Sequence, residues 1–159
     1  MLSLKLVILN TNLYISIIMK EKISKKVIDR ETKQVIVIRK DLNMRKGKMV
    51  AQGAHASFVA IFNSMKWHPL DNTLFINLWE YKDIDRWTKT GFKKICVSVN
   101  SESELLEIFN KAKNAGLVSA LITDAGLTEF DGVPTKTCCA IGPAFSDEVD
   151  KITGHLKLL

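Results

Sequence analysis

Between Asp41 and Ala56 the chain reads D-L-N-M-R-K-G-K-M-V-A-Q-G-A-H-A, which sets Arg45, Lys46 and Lys48 where a strand ends and a helix begins. A helix N-terminus carries partial positive charge and unpaired N–H groups, so carboxylates are its usual first-turn residues and three cations are locally unfavourable. An anion offsets them. Backbone donors, dipole and cationic side chains converging on one point suit a phosphate or an oxyanion. Lys48, Gln52 and His55 follow at i, i+4 and i+7, so all three lie along one helical face and can look into one groove.

The elements that must position these groups are legible in outline. Gln34–Arg39 (Q-V-I-V-I-R) is β-branched and apolar on both parities, as expected of a strand covered on two faces. The spacing then predicts a helix from about Lys46 to Met65, with Ala51, Ala54, Phe58, Phe62 and Met65 as a stripe facing the sheet. Trp67–Gly91 has no clean period and reads as an excursion with one short helix, Trp79 and Trp87 being its core anchors. Phe92–Val99 is a second strand, and Ser101-Glu-Ser-Glu104 is a capping box opening a helix that ends near Gly116. Val118–Thr123 is a third strand, Asp124–Pro134 a loop, and Lys136–Ile141 a fourth strand ended by Gly142-Pro143. Ser146 to Gly154 is a capped terminal helix. Strands alternating with helices mean an α/β sandwich. In such a sheet chemistry lies beyond the carboxyl ends of parallel strands. There the turn carrying Lys48 meets Asp124-Ala-Gly-Leu-Thr128, which the Gly126 kink leaves exposed, and Thr137 enters from the fourth strand, so cation, carboxylate and hydroxyls converge.

At 159 residues, 47% hydrophobic and 25% charged, the chain fits one domain with a real core. The charge of +6 and pI near 9.2 point modestly to an anionic partner, and the excess is concentrated: Lys20 to Lys48 holds 11 Lys and Arg against 4 Asp and Glu. Cys96, Cys138 and Cys139 are odd in number, lack C-x-x-C spacing and sit in apolar runs, so they read as core thiols in a reducing cytoplasm, with no metal site. No Gly-rich phosphate loop is present, so no nucleotide cofactor is indicated. Leu2 to Ile18 is apolar but interrupted by Lys5, Asn10 and Asn12, too short for a membrane span and without a small-residue cleavage site. Residues 1–30 are therefore set apart as a leader, either dispensable and upstream of a true start at Met19 or a peripheral strand or anchor, and residues 31–159 as a single domain.

The motifs D-L-N-M-R-K-G-K-M-V-A-Q-G-A-H-A, L-I-T-D-A-G-L-T, A-I-G-P and D-K-I-T-G-H-L-K-L-L, in this order, resemble the archaeal and eukaryotic type of peptidyl-tRNA hydrolase over about Lys33 to Leu159. The resemblance implies a homodimer, a three-layer α/β/α sandwich around a four-stranded mixed sheet, and hydrolysis of the ester between peptide and tRNA without a cofactor. It carries catalytic roles to Lys48, Asp124, Thr128 and Thr137, with His55 nearby; Arg45, Lys46, Gln52 and Thr135 are expected to bind tRNA or substrate.

Ester hydrolysis needs a positioned water and donors for the developing oxyanion. Asp124 would orient or deprotonate water, Lys48 would stabilise the oxyanion or terminal phosphate, and Thr128 and Thr137 would position water and the 3′ ribose. Asp124 and a threonine could exchange roles. Each residue also has a structural reading: Asp and Thr are common turn formers, and a helix histidine is often packed. Where the family usually has arginine and glutamine in D-A-G-R-T-Q, this chain has Leu127 and Glu129, a cation lost and an anion gained. The following loop is one residue longer, which makes Thr135 a rival to Thr137. Two other functions remain open: a non-catalytic tRNA or protein binder, and a hydrolase of another acylated tRNA.

Overall fold

The structure is a computed structural model that describes residues 30–159. The expectation of a leader over 1–30 falls, Arg30 apart, outside the described residues. The core element is β1 (Thr32–Arg39), buried along seven of its eight residues. It pairs in parallel with β4 (Lys94–Val99) and antiparallel with β6 (Thr135–Phe145). Outside β6 lies β5 (Ser119–Asp124), and outside β4 lies β7 (Lys157–Leu158), both antiparallel. The result is a five-stranded mixed sheet in the order β5-β6-β1-β4-β7.

Four helices among the described residues pack against this sheet: α1 (Lys46–Phe62), α2 (Lys82–Lys89), α3 (Glu102–Asn114) and α4 (Ser146–Thr153). Alternate residues of β1 serve two apolar clusters. Val35 and Val37 join Val97, Cys139 and Ile141 beneath Leu105, Ile108 and Val149 of α3 and α4. Ile36 and Ile38 join Cys138 and Ala140 beneath Ala56 and Ala60 of α1. Cys138 and Cys139 thus belong to opposite faces.

The sheet has five strands where the resemblance implies four. Beyond Gly154 the chain turns back along the free side of β4, where Val97 and Ser98 pair with Leu158 and Lys157, and Leu159 N–H donates to Cys96 C=O at 3.1 Å. A two-residue strand has no alternation to detect, and it blunts an edge that would otherwise present unpaired backbone groups. Nor does Gly142-Pro143 end β6, which continues to Phe145. The register with β1 shifts there, Val35 facing Ile141 and Lys33 facing Ala144, so the dipeptide sits in a bulge where proline's missing N–H is tolerated. Gly142 has φ +86°, and a Cβ would lie 2.6 Å from the Lys33 carbonyl oxygen, so only glycine fits.

Helix α1 corrects a second expectation. Its buried residues are Gln52, Gly53, Ala56 and Ala60, while Phe58 is 64% and Val50 73% exposed. The helix lies close to the sheet, a Cβ on Gly53 falling 3.6 Å from Ile36, so small residues face inward and the bulkier apolar stripe faces outward. The excursion contains a hairpin, β2 (Lys66–Trp67) with β3 (Leu74–Phe75), followed by α2. Trp87 is buried and donates from its indole to the Lys93 carbonyl at 2.9 Å, but Trp79 is 87% exposed and anchors nothing. Cys96, expected in the core, is exposed. The capping box forms with its return arm shifted: Ser101 Oγ accepts from Glu104 N–H at 3.1 Å, and the Glu104 carboxylate accepts from Asn100 N–H, one residue before the cap, at 2.8 Å. Among the described residues no helix is long and apolar enough to cross a membrane.

Candidate active site

Two turns build the site. The first links β1 to α1: Asn43 takes a left-handed conformation (φ +48°), Met44 is buried as an anchor, and α1 begins after Arg45 without a side-chain cap or an acidic residue in its first turn. The second follows β5. Asp124 Oδ1 accepts the Gly126 N–H at 2.9 Å in an Asx-type turn, and Gly126 (φ +82°) passes so close to Val133 that a Cβ would lie 2.5 Å from its carbonyl oxygen. Helix start and strand end are thereby brought together.

Across this junction runs one continuous hydrogen-bonded chain. Lys48 Nζ donates to Asp124 Oδ2 at 2.7 Å and to Thr128 Oγ1 at 3.1 Å. Gln52 Nε2 donates to the same Asp124 Oδ2 at 2.8 Å, and Gln52 Oε1 accepts from Thr137 Oγ1 at 2.6 Å. The β5–β6 register shifts between Ile122 and Thr123, leaving Thr137 as the extra residue of a bulge aimed at Gln52. Gln52 and Thr137 are buried, whereas the Lys48 and Asp124 side chains keep 13% and 14% of their surface open. The Lys48 ammonium holds the Asp124 carboxyl below the usual carboxylate range, aided by the Gly126 N–H and the Gln52 amide and opposed by burial. Asp124 is therefore an ionised acceptor at neutral pH.

The remaining candidates are not joined to this chain. Arg45 Nε pairs with Glu129 Oε1 at 2.7 Å, bridging the helix start and the β5–β6 loop. Lys46 projects elsewhere, to the end of an apolar groove on the other flank of α1. Thr135 faces Asp124 across the β5–β6 ladder, but its hydroxyl donates to the Val133 carbonyl at 2.8 Å. The His55 side chain is exposed and makes no hydrogen bond or ion pair among the described residues.

Two contributors were not anticipated. Cys138 Sγ donates to the Gln52 carbonyl at 3.3 Å, and burial pushes this thiol up to about 11, so it is a buried donor and not a nucleophile. The Phe130 ring lies 5.7 Å from Lys48 Nζ. Neither carries a local sequence signal, because each acts on a residue more than 80 positions away. Among the described residues no three His, Cys, Asp or Glu side chains gather as a metal site would require.

The arrangement offers an ammonium with two of its three N–H groups engaged, a carboxylate with three acceptor positions filled, and a hydroxyl, Thr128, that accepts from Lys48 and keeps its own proton to donate. Such a site can orient a water and stabilise an oxyanion without a covalent intermediate. The comparisons agree with this chemistry. The family model described as peptidyl-tRNA hydrolase PTH2 matches residues 32–159. The peptidyl-tRNA hydrolase of Methanocaldococcus jannaschii is 46% identical over 127 residues, covering 80% of this chain and 99% of that protein. That of Methanothermobacter thermautotrophicus is 43% identical over the same shares of both chains. A probable peptidyl-tRNA hydrolase 2 of Dictyostelium discoideum is 41% identical over 80% of this chain and 55% of its own length. Every residue of the hydrogen-bonded chain falls within the matched span, and this protein belongs to the peptidyl-tRNA hydrolase PTH2 family.

Proposed function

We propose that the chain hydrolyses the ester between a peptide and the 3′ end of tRNA, working in the cytoplasm through a single domain over residues 31–159, with the sheet as the middle of three layers. The observation that carries this reading is the sharing of the Lys48 ammonium between Asp124 Oδ2 and Thr128 Oγ1. Its third N–H is left for the ester oxygen on which negative charge develops. Asp124 has its spare lone pair on Oδ1 and accepts a hydrogen bond from the attacking water. Its lowered basicity favours orienting that water over removing its proton outright. Thr128 gives its hydroxyl proton to the leaving ribose oxygen and recovers one from the water. One water is consumed, the carbonyl–ribose bond breaks, and no other reactant is needed.

Gln52 and Thr137 are too buried to touch substrate and act as positioning residues for Asp124. Arg45 and the uncapped α1 N-terminus provide cationic surface for phosphates, Lys46 extends that surface toward the other flank of α1, and exposed His55 is a further polar group for the RNA. Thr135 holds the loop after Gly132. Three free thiols suit a reducing compartment. We also assign a homodimer, supported by the outward apolar stripe of α1 and the groove of about 1050 Å³ between α1 and α2.

The test is release of the blocked amino acid from N-blocked aminoacyl-tRNA by the purified protein, beside Lys48→Ala and Asp124→Ala. Cleavage that both variants lose is expected. A folded wild type that binds tRNA without cleaving it would overturn the reading in favour of a binding protein.

A further inference from the structure

The β5–β6 loop holds a phenylalanine where its backbone should resist one. Phe130 (φ +75°), Asp131 (+50°) and Gly132 (+77°) are three successive residues in the left-handed region, where a bulky side chain is an outlier. The loop is closed around them by Val133 N–H to Phe130 C=O at 2.8 Å, Gly132 N–H to Gly126 C=O at 3.0 Å, and the tight packing of Gly126 on Val133. This conformation directs the ring inward, against the apolar cluster under α1, with its centroid 5.7 Å from the Lys48 ammonium.

We propose that Phe130 is a positioning residue for the hydrolysis, its ring face fixing the Lys48 ammonium between Asp124 and Thr128 by a cation–π contact. The inference rests on the reading of Lys48 given above. A lysine head sits on a flexible four-carbon stem, and two hydrogen bonds leave it free to swing about them. A ring within about 6 Å attracts the charge from a third side and excludes water there. The single N–H that remains is then directed toward the ester oxygen. A filler for the apolar cluster alone would not require an aromatic face or a left-handed backbone beside the Lys48 ammonium.

The experiment replaces Phe130 by 3,4,5-trifluorophenylalanine, which keeps the ring's shape and drains its negative face, and runs Phe130→Tyr, Phe130→Leu and Lys48→Ala beside it on N-blocked aminoacyl-tRNA. The fluorinated protein is expected to lose about two- to fivefold in kcat at unchanged KM and unchanged Tm. Phe130→Leu should match or exceed that loss, while Phe130→Tyr should keep wild-type kcat. A fluorinated protein with wild-type kcat, or one altered in KM alone, overturns the inference, as does a loss in Tyr and Leu variants that follows Tm. If Lys48→Ala keeps wild-type kcat, the assignment of the site itself falls. If Lys48→Ala is inactive and the fluorinated protein is unimpaired, only the role of Phe130 falls.

Discussion

Thr137 donates its hydroxyl to Gln52 Oε1 at 2.6 Å although neither residue is open to solvent, and this bond decides which end of the Gln52 amide faces Asp124. With the carbonyl engaged, the NH₂ group must point to Asp124 Oδ2. The pair is a buried brace behind the part-buried Lys48–Asp124 ion pair.

Thr137→Val, close in shape, leaves Gln52 Oε1 buried without a donor. The expected cost is about 1–3 kcal/mol of stability, read from thermal or urea unfolding. Activity should fall about tenfold through a looser Asp124, while Thr137→Ser retains most of both. A Val variant as active as wild type would remove the brace from the mechanism.

Asp124→Asn keeps shape but loses the charge that pairs with Lys48. Because the pair is neither fully exposed nor fully buried, about 2 kcal/mol of stability should be lost, with a fall in kcat of about a hundredfold or more. Single-turnover hydrolysis would report the second effect.

The same carboxyl predicts a pH dependence. Its pKa is lowered on folding by the Lys48 ammonium, so the pair's contribution is fully present above the unfolded value of 3.8 and is lost as pH falls through the lower folded value. The Tm difference between wild type and Asp124→Asn should be constant from pH 8 to 5 and shrink below pH 3.8. A difference that titrates near neutrality would contradict this.

Glu129 stands where it neutralises Arg45, whose side chain is 77% exposed. Freeing that cation by Glu129→Gln should tighten tRNA binding at low salt and steepen the slope of log K against log salt by about one, with little change in stability. Leu127→Arg should add about one more. Fluorescence anisotropy over a salt series checks both, and unchanged slopes would place the tRNA phosphates elsewhere.

What could be read in the sequence divides along the range of the forces involved. The β-branched run of β1 and the Ser101–Glu104 capping box are local patterns, and both form. The fold class follows from such patterns, but the fifth strand does not, because Lys157 and Leu158 become a strand only by meeting the edge of β4. For α1, hydrophobic spacing pointed to Phe58 and Phe62, whereas close approach to Ile36 selects Gly53, Ala56 and Ala60. Pattern measures greasiness, and helix–sheet packing here selects small size. The meeting of Lys48 with Asp124 and Thr128 is foreseeable from motif and turn chemistry. That Gln52 is a buried brace was not, since its partners lie 72 and 85 residues away.

The displaced apolar stripe yields the last prediction. Val50, Ala54, Phe58 and Phe62 recur every four residues on the outward side of α1, forming the kind of ridge that two helices interdigitate, and Ala54 near its middle permits close approach. Two copies of this chain meeting about a two-fold axis would each present the same stripe to the other and cover it. Because Phe58 is 64% exposed within the protomer, Phe58→Glu should leave protomer folding intact by circular dichroism while placing a charge in the shared face. Sedimentation is expected to show a dimer for the wild type and a monomer for Phe58→Glu. A monomeric wild type at working concentration would mean that this face serves another partner, and a dimeric Phe58→Glu would move the interface away from α1.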